Sequence, residues 1–151
     1  MKSFKIENLI VFFCVLSKIE CIRRVQAIQN FYKALSDVPY NFLIGDDGNV
    51  YEGRGFTYQG EIVSKNFFDA YHESIIVAFI GNFSSKQPSE EQLESFNSFL
   101  SKSAAENKIM SNFALFSQNQ LIDWTSDEFD QVLIKDPNFI PSELNLVETW
   151  I

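Results

Sequence analysis

The pattern of apolar runs and turn residues predicts a β-hairpin over the stretch Tyr40–Phe56. Asn41–Gly45 is an apolar run, and Val50–Glu52 resumes as a second short strand. The Asp and Gly residues at 46–49 favour a tight turn between the two strands. Gly53-Arg54-Gly55-Phe56 follows the second strand, and its glycines allow the backbone and the guanidinium to approach a ligand closely.

The remaining periodicity predicts alternating helices and strands. Ser74–Asn82 is apolar without a break, which is typical of a central strand covered on both faces. Ser89 and Gln92 form a capping-box pattern that starts a helix ending near Asn107. The other predicted elements are a helix over Ile22–Ser36, a strand over Asn112–Phe116 and a helix from the cap Ser126 to Ile134. The predicted inner faces are Leu93, Phe96, Phe99 and Leu100 in the capping-box helix, and Phe129, Val132 and Leu133 in the last one.

This order of elements predicts an α/β domain of three layers, with a central mixed β-sheet flanked by helices. The apolar run Leu9–Leu16 near the amino terminus has two interpretations. It is too short to span a bilayer, and it suits either a buried first strand or the apolar region of a signal-like segment. Residues 1–20 are therefore assigned to one of these two, and residues 140–151 to an acidic tail.

Composition narrows the class of protein. A chain of 151 residues with 46% apolar residues and 16 Phe predicts a single domain with a substantial core. The net charge of −8 and the sequence pI near 4.6 argue against nucleic acid as a partner.

The string YNFLIGDDGNVYEGRGF at residues 40–56 resembles the most characteristic segment of the peptidoglycan recognition proteins. Those domains are similar to the zinc amidases of bacteriophage. The resemblance extends to residues 21–31, 74–83 and 88–93, and covers roughly residues 21–139. It implies a peptidoglycan-recognition domain with a ligand groove on one face of a central sheet.

The amidases of that family imply a zinc ion held by two His and one Cys, with a Tyr beside the zinc-bound water. Such a site needs three protein ligands and one open position. The chain has one histidine, His72, and its two cysteines, Cys14 and Cys21, both lie near the amino terminus. One imidazole cannot supply two ligands, so we expect no catalytic residues, no metal ligands and no cofactor.

The resemblance also assigns candidate residues for ligand binding and for a disulfide. In the family, the groove holds a muramyl peptide through aromatic, polar and Arg contacts. A short disulfide near the first helix is implied as well, and Cys14 and Cys21 are its candidates. The positions that match the groove contacts are Tyr32, Tyr40, Arg54, Gly55 and Phe56.

Three functions follow from these observations. The first is a non-catalytic domain that binds muramyl peptides of the bacterial wall in innate immune recognition, either secreted or on the extracellular face of a receptor. The second is an interaction module that pairs with a related receptor domain as a heterodimer, without binding peptidoglycan. The altered groove residues Tyr32 and Ile62 favour this second function. The third, an active zinc amidase, is opposed by the histidine count.

Overall fold

A central five-stranded sheet organises the computed structural model. The structure describes residues 6–14, 40–58, 74–83, 85–117 and 128–140. The strands are β1 (Ile6–Cys14), β2 (Phe42–Ile44), β3 (Val50–Glu52), β4 (Ser74–Ile80) and β5 (Ile109–Ser117), and the described helices are α1 (Glu90–Ala105) and α2 (Glu128–Leu133). The helix predicted over Ile22–Ser36 lies outside the described residues.

The sheet is mixed, with the strand order β3-β2-β4-β1-β5. β4 pairs in parallel with both β1 and β2, β1 pairs in parallel with β5, and β2 pairs antiparallel with β3. β1 covers most of the first apolar run, Leu9–Leu16. β4 is buried along its whole length, which confirms the prediction of a central strand.

Both faces of the sheet are buried. On one face, alternate residues of the strands join α1 and α2 in a cluster that includes Val77, Phe79, Phe96 and Phe129. On the other face, Ile10, Leu43, Ile76 and Ala78 are buried as well. β2 and β4 are buried at every position, so they are apolar without the alternation of a half-exposed sheet, whereas the edge strand β3 is exposed or half-buried.

The predicted capping box at the start of α1 is present, and its Gln92 also contacts the sheet. The Ser89 hydroxyl accepts from the Gln92 amide N–H, and the Gln92 side chain accepts from Ser89 N–H. The Gln92 Nε2 also donates to the carbonyls of Ile44 at 3.1 Å and Ile80 at 3.2 Å, at the ends of β2 and β4. Gln92 is 1% exposed and therefore ties the helix to the sheet.

Several predicted bounds need correction. β5 is longer than the predicted Asn112–Phe116. α2 ends at Leu133 rather than Ile134, because the chain then turns through bonds from Lys135 N–H to Val132 and from Asp136 N–H to Leu133. On α1, Phe96 and Leu100 are buried, whereas Leu93 and Phe99 are half-buried.

None of the helices in the part of the chain that is described is long and apolar enough to cross a bilayer.

Candidate functional site

The predicted hairpin is present, and its turn is held by Asp47. Its carboxylate accepts from the Asn49 backbone N–H and side-chain amide, each at 3.0 Å, and from the Tyr51 hydroxyl. The carbonyl of Gly48, whose φ is +82°, accepts from the Ser95 hydroxyl of α1 at 2.7 Å. The hairpin tip is therefore bonded within itself and to the helix beside it.

Hydrogen bonding makes the turn sensitive to pH. Burial by itself would raise the pKa of Asp47, but hydrogen bonds from Tyr51 and Asn49 outweigh it, and the pKa lies below its usual 3.8. A carboxyl whose pKa is lower in the folded than in the unfolded state stabilises the fold above the unfolded pKa. This contribution is lost as the pH falls through the folded pKa.

We therefore expect the free energy of unfolding to respond to acid partly through Asp47. Urea unfolding of the wild-type chain and of Asp47→Asn should differ most near neutral pH. The difference should shrink as the pH is taken below about 4, where the carboxyl of the unfolded chain protonates first and that of the folded chain follows at lower pH. The effect should be small, because Asp47 is exposed. A difference that stays constant down to about pH 2.5 would show that the carboxylate charge makes no contribution.

The segment after β3, residues 53–58, returns across the start of β2 and carries most of the predicted ligand residues. The N–H groups of Gly53 and Gly55 donate to the Asn41 carbonyl at 2.9 and 3.0 Å, and Arg54 N–H donates to the Tyr40 carbonyl at 3.0 Å. Gly55 is buried with φ +63°, a conformation that side-chain-bearing residues rarely adopt. The structure thus brings Tyr40, Arg54, Gly55 and Phe56 together, while Tyr32 lies outside the described residues.

Phe56 belongs to this segment and packs against the core cluster. Its ring centre lies 4.7 Å from that of Phe42 and 6.0 Å from that of Phe99, which it stacks on. Phe56 is half-buried, so one part of the ring is committed to the contact with α1. Arg54 is also half-buried, and Tyr40 is buried.

Asn41 is a residue that the sequence interpretation missed. Asn41 was counted as part of the apolar run over Asn41–Gly45. A polar residue at the start of a buried strand indicates, however, that its side chain has hydrogen-bond partners in the core. It is 1% exposed, and its side-chain amide bonds to three backbone groups of two other segments.

The buried pair Ser117 and Asp130 was also missed. Both residues are fully buried, and the Ser117 hydroxyl donates to the Asp130 carboxylate at 2.5 Å.

The donor chemistry of the chain does not fit the zinc site of an amidase. The sequence has one histidine, and no Cys follows Cys21. In residues 6–14, 40–58, 74–83, 85–117 and 128–140, no three His, Cys, Asp or Glu side chains are placed to hold a metal ion. At the carboxyl end of β5 the buried donor is the Ser117 hydroxyl, which is committed to Asp130 and is not a usual zinc ligand.

Only one of the two cysteines of the predicted disulfide, Cys14, lies among the described residues. Cys14 ends β1, and Cys21 and His72 lie outside the described residues, so the pairing of Cys14 with Cys21 stays a prediction.

A cavity of about 340 Å³ lies between α1 and α2, lined by residues such as Leu93, Phe96 and Val132. Of the predicted ligand residues that the structure describes, Tyr40, Arg54, Gly55 and Phe56, none lines it.

Comparison with known families and curated proteins gives consistent matches. The family model for N-acetylmuramoyl-L-alanine amidase matches residues 15–128. Peptidoglycan-recognition protein SC2 of Drosophila melanogaster is 32% identical over 108 residues, which are 70% of this chain and 56% of that protein. Peptidoglycan-recognition protein LC of Drosophila melanogaster is 34% identical over 110 residues, 71% of this chain and 21% of that protein. The chain spans about half the length of the former and about a fifth of the latter.

Comparison with solved structures points to the same family. Peptidoglycan-recognition protein SA of Apis mellifera superposes with a TM-score of 0.77 at 26% identity, covering 89% of this chain and 85% of that one. A chain from the complex of tracheal cytotoxin with the ectodomains of peptidoglycan recognition proteins LCa and LCx superposes with a TM-score of 0.80 at 29% identity, covering 92% and 87%. These similarities confirm the predicted three-layer α/β fold class.

Proposed function

Because this chain belongs to the N-acetylmuramoyl-L-alanine amidase family, among the peptidoglycan-recognition proteins, we propose that it binds muramyl peptides of bacterial peptidoglycan without cleaving them. Support for binding comes from a relative that was solved with its ligand. The ectodomain complex of LCa and LCx was solved with tracheal cytotoxin bound. By the same comparison, the proposed place of action is outside the cell, either as a secreted protein or on a receptor.

The observation that carries this proposal is the contrast between two parts of the family's machinery. The Tyr40–Phe56 hairpin is kept, with its backbone hydrogen bonds and its buried Gly55. The sequence has a single histidine, whereas the family's zinc site takes two, and no Cys follows Cys21. Without a metal-bound water, Tyr40 has no nucleophile to orient, and the site is left with groups that bind.

Arg54 is the group best suited to an anionic ligand. Muramyl peptides end in carboxylates, and a guanidinium can bond a carboxylate through two parallel N–H donors. The backbone on both sides of Arg54 is fixed by bonds from Gly53 and Gly55 to Asn41, and its own N–H is bonded to Tyr40. A fixed backbone reduces the conformational entropy that is lost on binding.

Titration of the chain with muramyl peptides tests the proposal through Arg54. We expect saturable binding by the wild type and a loss of about 1.5–3 kcal/mol, roughly 10- to 150-fold in Kd, in Arg54→Ala. Arg54→Lys keeps the charge but not the fork, and should fall between the two. Lys102→Ala, an exposed cation of α1, controls for net charge and should bind as the wild type does. Equal affinities for Arg54→Ala and the wild type would show that Arg54 does not contact the ligand.

A second candidate function is pairing with a related receptor domain, and one observation favours it. The relatives LCa and LCx are described as an ectodomain complex. On this alternative, the chain would form a heterodimer with such a domain and modulate its signalling without a peptidoglycan ligand. No binding of muramyl peptides, combined with a stable one-to-one complex with a related ectodomain on size-exclusion chromatography, would favour this function over the first.

A further inference from the structure

The side chain of Asn41 connects three parts of the backbone that are distant in sequence. Its Nδ2 donates to the carbonyls of Gly55 at 2.8 Å and Tyr58 at 2.7 Å. Its Oδ1 accepts from the N–H of Ile76 in the central strand β4 at 2.7 Å. The main chain adds a bond from Asn41 N–H to the Ile76 carbonyl at 2.8 Å. The buried amide therefore fixes residues 53–58 to the middle of the sheet.

Only a primary amide of this length can make these bonds. Two donors on one nitrogen meet two carbonyls, and an acceptor oxygen meets an N–H, so both ends of the side chain are used. An Asp at this position would keep the acceptor, but it would place a carboxylate oxygen against the carbonyls of Gly55 and Tyr58. An apolar residue would leave all three backbone groups without this partner, at a cost for each buried group.

One of the residues that Asn41 holds, Tyr58, carries an exposed aromatic ring. Tyr58 is 70% exposed, yet its carbonyl is held by one of the shortest of the Asn41 bonds. The nearby aromatic residue Phe56 packs its ring against Phe42 of the core cluster and against Phe99 of α1. In the described part of the segment 53–58, Tyr58 is thus the ring that remains open to a ligand.

We propose that Asn41 is a positioning residue that holds the Tyr58 ring in place as a further contact for the muramyl peptide, an inference that rests on the proposed function. An amphipathic ring of this kind can lie against the apolar face of a sugar or against aliphatic groups of a stem peptide, with its hydroxyl in water. Fixing the backbone at Tyr58 before binding reduces the ordering cost of that contact.

A double-mutant cycle of muramyl-peptide affinities tests this proposal. Tyr58→Ala should raise Kd about five- to tenfold with an unchanged midpoint of thermal unfolding, and Tyr58→Phe should restore most of the affinity. Asn41→Asp should raise Kd by a similar factor or more. In the Tyr58→Ala background, Asn41→Asp should cost clearly less, because its effect acts through the ring. Asn112→Asp, which makes the same change at an exposed Asn of β5 outside the hairpin, is the matched control and should bind normally.

Amide hydrogen exchange separates positioning from ligand binding. In Asn41→Asp, the amides of Arg54 and Gly55 should lose more protection than those of β4. Should that variant fail to fold, Asn41→Ser, which keeps one donor and one acceptor, takes its place. Additive losses in the cycle, or full affinity in Tyr58→Ala, would overturn the proposal. No binding by the wild type would overturn the proposed function and the Tyr58 contact with it. Unchanged exchange at Arg54 and Gly55 would overturn the positioning role on its own.

Discussion

Replacement of Phe79 by alanine should lower the free energy of unfolding by about 3–5 kcal/mol, the range for removing a large aromatic side chain from a core. Phe79 is fully buried near the carboxyl end of β4. Its ring centre lies 5.1 Å from that of Phe96 on α1 and 5.3 Å from that of Phe129 on α2, both edge to face. The ring therefore joins the central strand to both described helices.

Urea unfolding followed by circular dichroism measures this change. Tyr58→Ala is a suitable control, because it also removes an aromatic ring but from a position that is 70% exposed, and it should cost less than about 0.5 kcal/mol. A loss below about 1.5 kcal/mol for Phe79→Ala would mean that the three rings do not form a shared core.

Gln92→Ala should cost about 2–4 kcal/mol, more than the removal of an ordinary cap. The side chain completes the capping box with Ser89, and its Nε2 donates to the carbonyls of Ile44 and Ile80. Truncation leaves two buried carbonyls without this donor, each at about 1–3 kcal/mol, and also removes the cap bond. Alanine is a better helix former than glutamine, which offsets a few tenths of a kcal/mol.

The matched control is Glu94→Ala, an exposed position two residues further along α1. It makes the same gain in helix propensity without removing a buried bond, and should change the free energy of unfolding by less than about 0.5 kcal/mol. Equal effects of the two substitutions in urea unfolding would show that Gln92 acts on the helix alone and does not link it to β2 and β4.

Local chemistry explains which parts of the fold could be predicted from the sequence. The hairpin turn at Asp47 and Gly48 and the capping box at Ser89 and Gln92 depend on residues within four positions of one another, and both are present. The burial of β4 follows from its continuous apolar run. The bonds of Gln92 to Ile44 and Ile80 could not be predicted, because they depend on how the helix meets two strands that are 48 and 12 residues away.

The candidate site was predictable to a similar extent. Motif resemblance placed Tyr40, Arg54, Gly55 and Phe56 in one segment, and the structure brings them together. It did not distinguish Phe56, whose ring packs against Phe42 and Phe99, from Tyr58, whose ring is exposed. The three-way role of Asn41 was invisible as well, since its partners at Gly55, Tyr58 and Ile76 meet only in the folded chain.

Titration of the full chain with a muramyl peptide in the presence of EDTA, followed by mass analysis of the ligand, tests recognition without cleavage most directly. The expected result is saturable binding that the chelator does not change, with the bond between the muramoyl group and L-alanine intact. The same result should hold after addition of zinc. Zinc-dependent release of the stem peptide, or the absence of any binding, would contradict it.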